Sequence, residues 1–308
     1  MIADDLTGAC DAGVAFAPAV VALHAGVVFG PGDALVESTH TRGDEPDVAA
    51  ARVAEVVRQL PQASLLYKKI DSLLRGPVRA ELEATLAASG RRRALVCPAF
   101  PEQGRTVVNG IAFPAGVDLR ALLAGLPVEI PDAQTPDDLS RIAREADPAR
   151  DLFVGSAGFA RALGAVPPRI APPVFPGPGK ALLCVGSIHP VTLEQLDFVD
   201  AEDAADIWRI DMASPDPAHL SQLRRRVEAL QEGGLLLCGG DTALLLCRLL
   251  GAQGIRLEAE IEPGVPFGRL MGGVGDGLPV VTKSGGFGRP STLACVAGVL
   301  SAQNRKSV

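Results

Sequence analysis

The stretch LLLCGGDTALLLCRLL, residues 235–250, holds a strand, a turn and a helix in immediate succession. Residues 235–238 are an apolar run too short for a helix. Gly239-Gly240-Asp241-Thr242 punctuates it, and an Ala/Leu-rich run from 243 to 250 follows. A short apolar run closed by glycine and followed at once by helix formers is the βα half of a βαβ unit. The same order recurs at 182–185 into Gly186-Ser187 and at 280–282 into Lys283-Ser284-Gly285-Gly286. In a parallel sheet all three turns lie at the carboxyl ends of strands, where open α/β folds bind ligands.

The N-terminal half follows the same pattern. Residues 65–67 read as strand, 69–76 as the crossing loop and 77–89 as a helix, with Pro77 near its start and Gly90 after its end. Strands at 95–97 and 152–154 follow, the second running through Gly155-Ser156 into a helix that reaches 163. The expected fold is therefore α/β: two doubly wound domains with largely parallel sheets and a ligand cleft between them. Pro167, Pro168, Pro172, Pro173, Pro176 and Pro178 crowd a stretch that can sustain neither helix nor ladder. They set the boundary, with domains at 1–165 and 180–308 and a linker at 166–179.

Composition excludes several classes. A net charge of −7 and a pI near 5.2 give no basic field for a nucleic acid. The apolar stretch 12–28 is interrupted by Pro18 and His24, so it reads as a buried helix and strand and not as a bilayer span. The N-terminus lacks the pattern of a secretory signal, and six scattered cysteines without a C-x-x-C pair read as buried thiols, so cytoplasm is the expected location. His24, His40, His189 and His219 have no metal-ligand spacing. No Walker loop is present, and Gly273, Gly275 and Gly277 precede a strand, the reverse of a dinucleotide fingerprint.

The turns supply two kinds of chemistry. Gly239, Gly240, Asp241 and Thr242 stand before a helix whose free N–H groups and dipole suit a phosphate, although Asp241 could equally cap that helix. Ser187 could donate to a phosphate or cap its own helix, and Lys283 with Gly285 and Gly286 could lie over a nucleotide. The N-terminal half carries charge: Asp4 and Asp5 after the first strand, then Lys69, Asp71, Ser72 and Arg75 in one loop, with Arg42 and Arg105 at neighbouring strand ends. Guanidinium forks suit a carboxylate, and Asp and Ser suit hydroxyls. A sugar acid offers both.

Read together, IADDLTGACDAG (2–13), KKIDSLLRG (68–76), PAFPEQGRT (98–106), GSAGFARAL (155–163), GGDTA (239–243) and KSGGFG (283–288) resemble the four-carbon acid sugar kinase family in its order along nearly the whole chain. The resemblance implies an N-terminal substrate domain, a C-terminal nucleotide domain, and ATP-dependent phosphorylation of the terminal hydroxyl of a threonate, erythronate or 3-oxo-tetronate. It implies ATP contacts at Ser187, 239–242 and Gly285, and acid contacts at Asp4, Asp5, Lys69, Asp71 and Arg75. Asp5 or Asp71 would orient or deprotonate the hydroxyl. Mg²⁺ would be carried by the nucleotide, and a homodimer is an open expectation. The chain departs from the family in its start almost on the first motif, in Leu73 where Thr is common, and in a shorter segment at 110–128. A sensor that keeps both pockets without turnover is the alternative reading.

Overall fold

The expected strands form, most of them starting one or two residues early because polar leaders such as Lys180, Arg93 and Asp151 also pair. The structure, a computed structural model, describes residues 1–23, 27, 29, 30, 32–61, 63–164, 167–171, 179–202 and 205–303. It divides into two compact units: Met1–Phe16 with Val36–Val166, and Ala17–Leu35 with Pro167–Val308.

In the first unit the strand ending at Ser38 lies beside Ile2–Ala3, followed by Leu66–Lys69, Asp151–Gly155, Arg93–Cys97 and Val128–Glu129, all parallel. Helices Pro46–Gln59 and Val78–Ser89 cover a core that includes Ile2, Val53, Leu82, Val96 and Val154. Gly90 ends the second helix with φ 68°, as its position after the periodic run leads one to expect. The register sets Ala3 opposite Lys69, so the residues after both strands emerge at one edge. The segment expected to be short holds the last two strands of a small antiparallel sheet (Thr106–Val108, Ile111–Phe113, Val117–Asp118) and the helix Leu119–Leu122.

The second unit places Asp206–Arg209, Lys180–Val185, Gly233–Cys238 and Pro279–Lys283 side by side in parallel. The three glycine turns thus follow adjacent strands. Beyond Pro279–Lys283 the sheet turns antiparallel through Val265–Met271, Gly254–Glu262 and Ala19–Ala22. The α/β class is as expected, with the main strands wholly parallel in the first unit and mixed in the second.

Two boundaries differ from the sequence expectation. Residues 17–35 fall within the stretch assigned to the N-terminal domain, yet they belong to the second unit. The Gly254–Glu262 strand needs a partner along its outer edge, and the fully buried Ala19–Ala22 run provides it, with Arg256 bonded to Asp33 at 2.9 Å. Of the expected linker, 167–171 runs beside Glu260, whose N–H donates to Pro168 O at 2.8 Å while Ile170 N–H donates to Glu260 O at 2.9 Å. Residues 166 and 172–178 lie outside the described residues. Among the described residues no helix is long and apolar enough to cross a membrane.

A fragment beginning at Lys180 therefore loses Ala19–Ala22 and leaves the outer edge of Gly254–Leu257 unpaired, while its other edge stays bonded to Val265–Met271. Size-exclusion chromatography should show it aggregating. The same unit carrying 17–35 joined by a flexible linker ahead of residue 167 should stay soluble and unfold cooperatively in urea. Equal behaviour of the two fragments would show that the strand adds nothing to the second unit.

Candidate functional site

In the first unit the polar residues gather where the parallel strands end. Asp5 caps the helix Leu6–Gly13: its Oδ1 accepts from Gly8 N–H at 3.0 Å and its Oδ2 from the Thr7 hydroxyl at 2.8 Å. Arg42, delivered by the loop after the strand ending at Ser38, reaches Asp4 Oδ2 through Nε and Asp5 Oδ1 through Nη2, both at 2.7 Å. Its Nη1 lies 3.8 Å from Asp71 Oδ1. Arg75 grips Asp71 with two parallel bonds of 2.8 and 2.7 Å. Lys69 is buried and packs against Gly8, where an added methyl would meet its Nζ at 2.7 Å and Asp5 Oδ1 at 2.4 Å. The motif's glycine is thus required for the lysine and the cap to share one helix start.

Three carboxylates and three cations balance one another here. Burial, the largest influence on Asp4, pushes its carboxyl up, but Lys69 and Arg42 outweigh it and hold it below the ordinary value. Burial likewise opposes ionisation of Asp71, and the Arg75 bonds with Arg42 and Lys69 bring it well below the carboxylate range. Among the buried side-chain atoms without a hydrogen-bond partner in the described residues are Asp4 Oδ1, which lacks a donor, and Arg105 Nε, which lacks an acceptor. Asp4 follows Ile2–Ala3 and Arg105 follows Arg93–Cys97, on the carboxyl edge of one parallel sheet. A missing donor and a missing acceptor match a ligand that has both hydroxyls and a carboxylate. Ser72 is half-buried beside Asp71 in sequence, its hydroxyl bonded to no described residue.

The sequence reading missed the support beneath this cluster. Lys68 and Lys69 are consecutive on a strand and so face opposite sides. Lys68, fully buried, pairs with Glu81 at 2.6 Å, and Thr41 donates to the other Glu81 oxygen. Thr39 bonds both Thr41 and Ala3 O, which fixes the loop that presents Arg42. The available signal was a charged Glu81 among Val78, Leu82 and Thr85 on the inner helix face.

In the second unit the three glycine turns converge. Gly239 N–H donates to Lys283 O at 2.9 Å, and an added methyl on Gly285 would meet Ser187 Oγ at 2.1 Å. Thr242 is buried, with its hydroxyl turned to Gly186, where a methyl would meet it at 2.3 Å. The helix Gly240–Leu250 has Gly239 as N-cap, with φ 109° and no side-chain cap, so its first amides stay open. Asp241 does not cap it and is exposed.

Lys283 departs from the expectation that it lies over a nucleotide. It is fully buried, and its ammonium bonds the carbonyls of its own loop. His189 is exposed and lies against Gly285 and Gly286. His40 meets Ser38, and His219 stacks on Trp208; His24 lies outside the described residues. All six cysteines are free, and burial pushes Cys97, Cys184 and Cys247 up to about 12, which leaves them inert thiols.

Fold and geometry define a two-unit α/β protein with a balanced cluster of buried charges at the strand ends of one unit and converging glycine turns at those of the other. Residues 1–122 match the sugar-binding N-terminal domain family and 217–293 the nucleotide-binding C-terminal domain family. The chain is 30% identical to the D-threonate kinase of Salmonella typhimurium, covering 95% of this chain and 96% of that one. It is 26% identical to the D-erythronate kinase of Heliobacterium modesticaldum, covering 96% and 95%. It belongs to the four-carbon acid sugar kinase family. The Salmonella alignment spans 412 positions against 308 residues here, so this is a shortened member. A solved Haemophilus influenzae chain of family DUF1537 shares the fold with a TM-score of 0.67 at 18% identity, over 96% of this chain and 98% of that one.

The depressed carboxylates give a pH prediction. Because Asp4 and Asp71 titrate lower folded than unfolded, their contribution is full above about pH 4 and is lost as pH falls below it. Arg42→Met should cost about 2–3 kcal/mol at pH 7, less than a fully buried pair because the guanidinium is partly exposed. The gap in urea midpoint between the two proteins should narrow steadily as pH falls below about 4. A pH-independent gap would separate Arg42 from these carboxylates.

Proposed function

We propose that this protein is an ATP-dependent kinase that phosphorylates the terminal hydroxyl of a four-carbon sugar acid of the threonate, erythronate or 3-oxo-tetronate class. The observation that carries the reading is the contact among three glycine turns at adjacent strand ends, beside a helix start with no side-chain cap. Open amides and a helix dipole there fit the phosphates of ATP. The orphaned Asp4 Oδ1 and Arg105 Nε support the acid at the other edge.

Catalysis in this reading is positioning and charge stabilisation, with no covalent intermediate. Asp5 has both oxygens engaged in capping and in Arg42, so it serves as scaffold. Asp4 receives a substrate hydroxyl on its free oxygen. Arg75, with 58% of its side chain exposed, is the guanidinium able to leave Asp71 for the ligand carboxylate, and its departure frees Asp71 to accept the proton of the reacting hydroxyl. Ser72 and Lys69 complete the acid's surroundings, and Ser187, Gly239, Gly240, Asp241, Thr242, Gly285 and Gly286 those of the nucleotide. Mg²⁺ would be held by the phosphates of the nucleotide and would supply charge neutralisation during transfer.

A coupled ADP-release assay with Mg²⁺ against C3 to C6 sugar acids should show turnover confined to four-carbon acids. Arg75→Ala should raise the KM for the acid roughly tenfold, about 1.4 kcal/mol, and Lys69→Met more, while the KM for ATP changes little. Equal movement of both KM values would make these residues structural. Binding of acid and ATP with no turnover would favour a sensor.

A further inference from the structure

The KSGGFG loop is held from inside by its carbonyls. Lys283 Nζ donates to Ser284 O at 2.9 Å, Gly285 O at 3.4 Å and Phe287 O at 2.9 Å. The Thr192 hydroxyl also takes Gly285 O at 2.7 Å, and Gln195 Nε2 takes Phe287 O at 3.0 Å and Arg289 O at 2.9 Å. In a planar trans peptide the carbonyl of one residue and the N–H of the next point in opposite directions. Pulling the carbonyls of Ser284, Gly285 and Phe287 towards one ammonium therefore turns the N–H groups of Gly285, Gly286 and Gly288 away from it. Those three amides donate to no described residue.

We propose that Lys283 is a positioning residue: it never touches the nucleotide, and instead orients three glycine amides into an anion-binding nest that receives the ATP phosphates. The assignment rests on the nucleotide reading of this unit. Successive backbone N–H groups make concave anion sites of this kind, and glycine lets the phosphate approach without a Cβ in the way. An added methyl at Gly285 would already strike Ser187 Oγ, which ties the nest to the neighbouring turn. Burial lowers the Lys283 pKa, a cost that three carbonyl bonds offset and that a solvent-facing phosphate ligand would not incur.

The test compares ADP with adenosine, which lacks phosphates, by calorimetry on the full chain. Lys283→Met should weaken ADP roughly tenfold or more and leave adenosine unchanged. Gln195→Leu, which removes two of the clamps and keeps the lysine, should show a smaller loss of the same kind and covers the case in which Lys283→Met does not fold. ADP affinity within about twofold of wild type in both variants, or equal losses of ADP and adenosine, would overturn the proposal. Failure of the wild-type chain to bind ADP would instead remove the nucleotide reading, and this inference with it.

Discussion

A parallel sheet delivers the carboxyl ends of all its strands to a single edge, and both polar clusters of this protein depend on that constraint. In the first unit Asp4, Arg42, Asp71 and Arg105 are far apart in sequence, yet each follows a strand of the same all-parallel sheet. In the second, Ser187, Gly239 and Gly285 follow three neighbouring strands. Antiparallel pairing would have sent alternate turns to opposite edges.

Charge balance decides what the first cluster can tolerate. Burying Asp4, Lys69 and Asp71 is costly unless each charge has a counter-charge close by, and Arg42 meets that need by reaching three carboxylates at once. Arg42 is in turn held by a loop tied to a second buried pair, Lys68–Glu81, on the opposite face of the same strand. A change at Glu81 would therefore reach the ligand edge through Thr41 without touching it.

The second cluster works by omission of side chains. Gly186, Gly239 and Gly285 allow three turns to approach so closely that a single methyl on any of them would crowd a Ser187, Thr242 or Met212 side chain. The carbonyls of Ser284, Gly285, Phe287 and Arg289 are taken up by Lys283, Thr192 and Gln195, while the N–H groups of Gly285, Gly286 and Gly288 donate to no described residue.

The glycine turns, the helix that Gly90 closes and the residue types of both clusters were legible in the sequence, because strand length, helix period and turn chemistry are local properties. The membership of 17–35 in the second unit was not legible, since Ala19–Ala22 pairs with Gly254–Leu257 more than two hundred residues away. Nor was the role of Lys283: a lysine after a strand has the same sequence whether its ammonium reaches solvent or turns back on its own loop. That choice is made by Thr192, Gln195 and the packed turns around it, which exist only once the sheet has formed. Sequence determined which groups are present at each edge. Tertiary structure decided which of them are spent on one another and which, like Asp4 Oδ1, have no partner among the described residues, because hydrogen-bond satisfaction is a property of the whole buried network.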